Sequence, residues 1–407
     1  MEMLLMDFIE KRTPAFNKVS IAFFAAGFNT FAILYTAQPL MPEFSEVFNV
    51  TPATSSLSLT LTTLALAVSM LIFGSLSEAV GRKQIMVGSM FAASLLCVLT
   101  PLSGESFTML LVLRTLQGVV LAGVPSIAMA YINEEIHPRS MPLMMGLYIS
   151  GNSLGAVFGR VFSGLMGDVF NWQIAFLSIG LISVVATIIF WKLLTPSQNF
   201  RAQKLSAGSL FGTLIDHMKN PVLVSLFGVG FLLMGMNIAL FSYVTFVLLG
   251  EPFGINQSIV SWVFLILLIG TVSSTVNGSL VARLGQEKVL YLGLSILTTG
   301  ILILFIPSVI TIILGLSLFT YGFFASHSVV SGLVGRNAEE NKAQASSLYL
   351  FFYYVGASLL GTFAGLFWAS YYWPGVVFVN LVAALLCFVL VTLAIRLKSK
   401  QTASGLK

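Results

Sequence analysis

Gly74-Ser-Leu76-Ser-Glu78-Ala-Val-Gly81-Arg82-Lys83 stands between two long apolar runs, and its skeleton returns as Gly278-Ser-Leu280-Val-Ala-Arg-Leu-Gly285. Equivalent positions of the two copies are 204 residues apart. Further along, Tyr148, Gly155, Gly164 and Trp172 recur as Tyr349, Gly356, Gly365 and Trp373, all at an offset of 201. Asn29 and Tyr35 recur as Asn237 and Tyr243 at 208. Rare residue types repeated at nearly one spacing across three segment pairs mark a duplicated chain, each half carrying the same punctuation between apolar runs.

The composition says what surrounds those runs. Of 407 residues, 57% are apolar and 9% charged, with a mean hydropathy of +0.96. A soluble domain carries about 25% charged residues, so this surface has to face lipid. The net charge of +5 then concerns which side of a membrane holds the cations, not a nucleic-acid partner. Cys97 and Cys387 both fall inside apolar runs and are expected as packing residues, not a disulfide. The start, MEMLLMDFIEKR, lacks a basic region before the first long apolar run, so no cleaved signal is expected.

Crossing the hydrocarbon core takes about 20 apolar residues in a helix. Twelve such spans are predicted, at 17–41, 54–77, 84–101, 107–132, 141–168, 172–194, 221–249, 258–282, 287–306, 309–334, 342–369 and 373–396. The domain reading follows: a first six-helix bundle over 1–194, a polar cytoplasmic linker over 195–220, and a second bundle with a tail over 221–407. Placing both termini in the cytoplasm puts eighteen of the twenty Lys and Arg there, including Arg201, Lys204 and Lys407, and leaves none outside. The remaining two, Arg114 and Arg160, are within spans. The outer loops then hold only acids: Glu43, Glu46, Glu105, Asp168 and Glu251. This asymmetry is the positive-inside pattern of a multi-pass plasma-membrane protein. Two duplicated six-helix halves place a substrate site between them near the midplane, an arrangement that alternating access uses and that a channel or membrane enzyme does not need.

The opening stretch resembles the signature loop G-x-L-x-D-r-x-G-R-K of the major facilitator superfamily, with Glu78 where Asp is usual and Ala79 where a basic residue is common. In that family the carboxylate rests against the N-terminus of an opposing helix, where negative charge is stabilised. Gly74, Glu78, Gly81, Arg82 and Lys83 are therefore expected to serve gating. Arg114-Thr-Leu-Gln117-Gly118 is similar to the family's R-x-x-Q-G element. Gly146-x8-Gly155-x3-Gly159-Arg160-x2-Ser163-Gly164 is similar to the antiporter glycine motif, with Arg160 in place of Pro and Ser163 in place of one Gly. Ordinary close packing of membrane helices is the other reading of these glycines. Stretches such as LYTAQPLMPEFSEVFNVTPATSS and QASSLYLFFYYVGASLLGTFAGLFW resemble the YnfM-type bacterial transport proteins. The resemblance runs through nearly the whole chain and implies a bacterial inner-membrane permease of the drug:H+ antiporter-like branch.

Ionisable groups inside a span cost about 2.5–3.5 kcal/mol on insertion scales and are functional candidates by default. Three occur: Arg114, Arg160 and His327. Both arginines fall roughly 10–12 Å deep in the outer half of their spans at 1.5 Å per residue. No Asp or Glu lies in a span interior, so the buried acid that many drug:proton antiporters carry in their first span is missing. The arginines then either grip an anionic substrate through their planar forks or bond backbone carbonyls, Gln117 and Asn152 as structural groups. His327 is the internal candidate for proton exchange, with a neutral cross-helix histidine as its structural alternative. Glu43 and Asp168 are fallback proton acceptors. His137 and His217 are expected in solvated loops. Asn29, Tyr35, Gln38, Asn237 and Tyr243 offer neutral handles in an apolar cavity, to which Tyr349, Tyr353 and Tyr354 could add rings.

No ATP-binding loop of the G-x4-G-K-[S/T] type is present, so energy is expected from an ion gradient, with H+ as the ion and no cofactor. The fold expectation is an all-α membrane protein of twelve helices in two pseudo-symmetric bundles, working as a monomer in the lipid bilayer on a small organic molecule. The functional expectation is export of a neutral, amphipathic or weakly anionic molecule by proton antiport. An anion-selective permease using Arg114 and Arg160 is the alternative. A non-transporting sensor or membrane enzyme is disfavoured, because the chain offers no paired carboxylates and no metal-ligand set.

Overall fold

The computed structural model describes residues 8–200, 214–338 and 342–405. Arg201, Lys204, Lys407 and the middle of the 195–220 segment lie outside the described residues. Helices stand where every predicted span does, several with nearly the same ends, as in Pro221–Leu249. Among the described residues, eight helices are long and apolar enough to cross a membrane on length and composition alone. The run 344–400 counts once there yet holds two spans. It is broken at Tyr372, where φ is 49° and ψ −141°, two residues before Pro374.

Prolines shape the interior of two other spans. In the first, Thr13 caps helix Pro14–Tyr35 by accepting the N–H of Phe16 at 3.1 Å. The helix stops at Tyr35, because Pro39 has no N–H to return to the Tyr35 carbonyl. A 3₁₀ turn, Gln38–Leu40, and a short helix, Met41–Val47, follow. The fourth span is likewise divided into Phe107–Leu121 and Ala128–Glu135, with Pro125 unable to bond the Leu121 carbonyl. The eighth passes through a seven-residue 3₁₀ stretch, Trp262–Leu268, between Gln257–Ser261 and Ile269–Leu284. Single spans in the hydropathy pattern are thus jointed rods.

The chain forms two compact units, 1–49 with 61–205, and 50–60 with 206–407. The first is built on close approach of helices Pro14–Tyr35 and Met141–Val169. Gly151, Gly155 and Gly159 follow one another every fourth residue, and a Cβ on them would strike the carbonyls of Phe24, Phe28 and Ala32, also four apart. Each is a backbone-on-backbone contact that only glycine allows. The second unit repeats it: a Cβ on Gly356 would strike the Phe231 carbonyl. In that unit residues 50–60 also reach the eleventh span, with Thr60 Oγ1 2.9 Å from Thr362 Oγ1. The duplicated loops share a backbone device as well, since Gly81 and Gly285 both have positive φ, 119° and 84°. Cys97 and Cys387 are buried and unbridged.

Candidate functional site

Arg114 is fully buried, and the jointed first span explains how. Ending that helix at Tyr35 leaves carbonyls in its last turn open to other donors. Arg114 Nη1 donates to the Ile33 carbonyl at 3.1 Å and to Gln117 Oε1 at 2.5 Å, while Nη2 donates to the Leu34 carbonyl at 2.7 Å. A cation at the C-terminal end of a helix also complements its dipole. Gln117 passes the chain of bonds on, donating from Nε2 to Thr100 Oγ1 at 2.7 Å. Gly118 lets this helix approach Thr62. The R-x-x-Q-G element is thus a clamp on the end of the first helix.

Arg160 holds the next piece of the same joint. Its Nε donates to Gln38 Oε1 at 2.6 Å, its Nη1 donates to the Ala156 carbonyl at 2.8 Å, and its guanidinium lies 3.5 Å over the ring of Tyr35. Ser163, where the glycine motif has Gly, donates to the Thr36 carbonyl at 3.0 Å. Tyr35, Gln38, Arg114, Gln117 and Arg160 are therefore brought together around residues 33–38.

The amides separate. Asn29 donates to Thr187 Oγ1 at 3.4 Å, and Thr187 is 3.1 Å from Ser94 Oγ, so its side chain points to the third and sixth spans. Asn152 bonds Tyr148 and lies against Gly27. The buried Oδ1 atoms of Asn29 and Asn152 have no hydrogen-bond partner among the described residues. In the second unit Nδ2 of Asn237 is likewise unpartnered, and Tyr243 stacks on Trp368 at 5.5 Å. His327 Nδ1 is 2.8 Å from Tyr349 Oη, with the rings of Phe323 and Tyr353 at 6.1 and 4.7 Å. His327 and Tyr353 are only partly buried. His217 departs from expectation. It is 8% exposed rather than solvated.

In the signature loop, Glu78 is half-buried and forms no hydrogen bond with a described residue. Arg82 carries the loop's contacts. It forks onto Glu134 from Nη2 at 2.7 Å and Nε at 3.2 Å, donates from Nη1 to Ser77 Oγ at 2.6 Å, and lies 5.6 Å from the Phe200 ring. Lys83 donates to the Leu194 carbonyl. Glu134 and Glu135 were missed from sequence. Glu135, 1% exposed, accepts the Asn199 N–H at 2.9 Å, and Asn199 Nδ2 donates to the Glu134 carbonyl at 3.1 Å. Burial raises the Glu135 pKa, backbone bonds from Asn199 and Gln198 oppose this, and Glu134 adds to it. Ile9 pairs with the same segment, its N–H donating to the Glu135 carbonyl at 2.8 Å. Two adjacent acids closing a span, with Arg82 expected on the same side, were the available signal.

The family model of the Major Facilitator Superfamily matches residues 19–359 and 226–406. The chain belongs to this superfamily. It is 55% identical over 372 residues to the uncharacterized MFS-type transporter YybF of Bacillus subtilis, covering 91% of this chain and 92% of that one. It is 42% identical over 370 residues to the inner membrane transport protein YnfM of Escherichia coli, covering 91% and 88%. Among solved structures, a bacterial homologue of the human lysosomal transporter Spinster, inward-facing and unoccupied, aligns with a TM-score of 0.79 at 15% identity over 95% of this chain and 98% of that one. As a superfamily member the chain is a membrane transporter and not an enzyme, with twelve helices in two pseudo-symmetric six-helix bundles.

Proposed function

We propose that this transporter exports a small neutral or amphipathic organic molecule in exchange for protons, by alternating access of the bundles 1–194 and 221–407 joined by the linker 195–220. The observation that carries the choice of cargo is the engagement of both intramembrane guanidiniums. Arg114 and Arg160 donate to protein carbonyls and to Gln117 and Gln38. Those acceptor dipoles offset the charge, so an anionic cargo is not required to do it. The amide atoms left without a partner among the described residues, Oδ1 of Asn29 and of Asn152 and Nδ2 of Asn237, suit a neutral molecule with a few polar groups. Outward direction rests on the likeness of residues 146–164 to the antiporter glycine motif. The one-sided cations support cytoplasmic termini in a bacterial plasma membrane.

His327 is the membrane-embedded proton carrier in this reading, since a histidine ring nitrogen can take up and release a proton and Tyr349 Oη holds one of the two. The protein acts without a cofactor and as a monomer. The test begins with a thermal-shift screen of purified protein against neutral, anionic and cationic organic compounds. Hits are then followed as flux in proteoliposomes under an imposed pH gradient. Stabilisation by neutral compounds, and gradient-driven flux lost in His327→Ala, are expected. Stabilisation by anions alone, cancelled in Arg160→Lys, overturns the reading in favour of an anion permease.

A further inference from the structure

Glu43 opens the short helix Met41–Val47, just past the joint in the first span. Its Oε1 accepts the backbone N–H of Trp172 at 2.9 Å, at the start of helix Trp172–Leu193. Its Oε2 is buried and has no hydrogen-bond partner among the described residues. The helix does not need this contact as a cap, because Asn171 Oδ1 already accepts the N–H of Ile174 at 2.8 Å. Aromatic rings wall the place: Phe44, Phe48 and Phe176 lie 5.8, 5.7 and 6.3 Å from the Trp172 ring.

The charges around it are all of one sign. Glu46, one turn along the same helix, acts on Glu43 unfavourably. Helix Trp172–Leu193 presents a backbone N–H and no charged side chain at this end. The other acids of the unit's neighbouring turns, Glu105 and Asp168, are exposed. The unit's buried cations, Arg82, Arg114 and Arg160, are bonded to other groups. A carboxylate offers about four acceptor sites, and leaving one of its oxygens buried and unbonded is costly. A proton on that oxygen removes the charge and leaves the other oxygen free to keep the Trp172 N–H.

We propose that Glu43 is a proton-binding group of the first unit, protonated on Oε2 while that oxygen is buried and ionised when helix Met41–Val47 parts from Trp172 and admits water. On uptake the Oε2–H bond forms as one O–H bond of hydronium breaks, leaving water; release passes the proton back to water as hydronium. The part this plays in transport rests on the proton-antiport reading, but the protonation itself does not, and the test below uses no cargo.

Full-length protein in liposomes is treated with a hydrophobic carbodiimide over a range of pH and its peptides are read by mass spectrometry. A protonated carboxyl adds across one C=N bond, its hydrogen passing to nitrogen, and the adduct rearranges to a stable N-acylurea with nothing expelled. Glu43 is expected to carry at least ten-fold more adduct than Glu46 at neutral pH, and to lose it as pH rises. In parallel, infrared difference spectra between wild type and Glu43→Gln should show a protonated carboxyl band that the variant lacks. The Gln side chain keeps an oxygen for the Trp172 N–H, so the variant is expected to fold and to serve as control. Either signal, present in wild type and lost in Glu43→Gln, upholds the proposal. Absence of both at neutral pH overturns it while leaving proton-coupled transport to be judged by flux.

Discussion

Replacing Arg114 by Met removes three hydrogen bonds to a charged donor, those to Ile33, Leu34 and Gln117. Bonds of this kind contribute about 1.5–3 kcal/mol each, or roughly 5–9 kcal/mol gross. Against this, Met does not bear the cost of keeping a guanidinium out of water, which amounts to several kcal/mol. The net expected loss is about 2–4 kcal/mol of unfolding free energy. It should appear as an earlier midpoint in SDS-titrated unfolding of the purified protein in micelles, followed by circular dichroism. Arg114→Lys retains charge but can reach fewer of the acceptors, so its loss should be intermediate. Cargo affinity per folded molecule should stay within a few-fold of wild type in both. A variant as stable as wild type that has lost cargo binding would refute the clamp and place Arg114 on the substrate.

Other perturbations separate the remaining roles. Gly356→Ala drives a Cβ into the Phe231 carbonyl, whereas Gly361→Ala meets only the Ile238 Cγ2 methyl at 3.1 Å. The first should lose about 1–3 kcal/mol or more and fail to accumulate, and the second should express normally; fluorescence-detected size exclusion compares them. Arg160→Lys forfeits the fork and the stacking on Tyr35, so a modest loss of melting temperature with neutral-cargo flux largely kept is expected in proteoliposomes. For Glu135, burial raises the pKa above the ordinary glutamate value. The folded protein therefore holds this proton more tightly than the unfolded chain, and stability should fall as pH rises from the ordinary glutamate range towards the folded pKa. Glu135→Gln should flatten that part of a melting-temperature profile; an unchanged slope assigns it to another group.

The spans were legible because a lipid environment demands a long unbroken apolar signal, and Pro221–Leu249 has one from end to end. Joints were less so. Pro39 and Pro125 lie in plain view, but their effect on the carbonyls of Tyr35 and Leu121 depends on which donors arrive to replace the lost bonds. Arg114 could be picked out as a buried cation with Gln117 beside it, whereas its carbonyl acceptors sit some eighty residues earlier and no local pattern encodes that pairing. The same holds for Arg82 and Glu134. Asn29 shows the limit of reading depth as direction: its central position in the first span was clear, while its facing towards Thr187 followed only from how the helix is rotated.

The glycine ladder between Pro14–Tyr35 and Met141–Val169 leaves one matter for other residues to decide. Glycines and carbonyls both recur every fourth residue, so a slip of one rung, about 6 Å at 1.5 Å per residue, would present nearly the same smooth face. Backbone packing alone cannot tell these alignments apart. Arg160, on the fifth helix, can, because its bond to Gln38 and its stacking on Tyr35 exist in only one of them. That one guanidinium acts as a detent, setting the vernier on which the first and fifth helices are read.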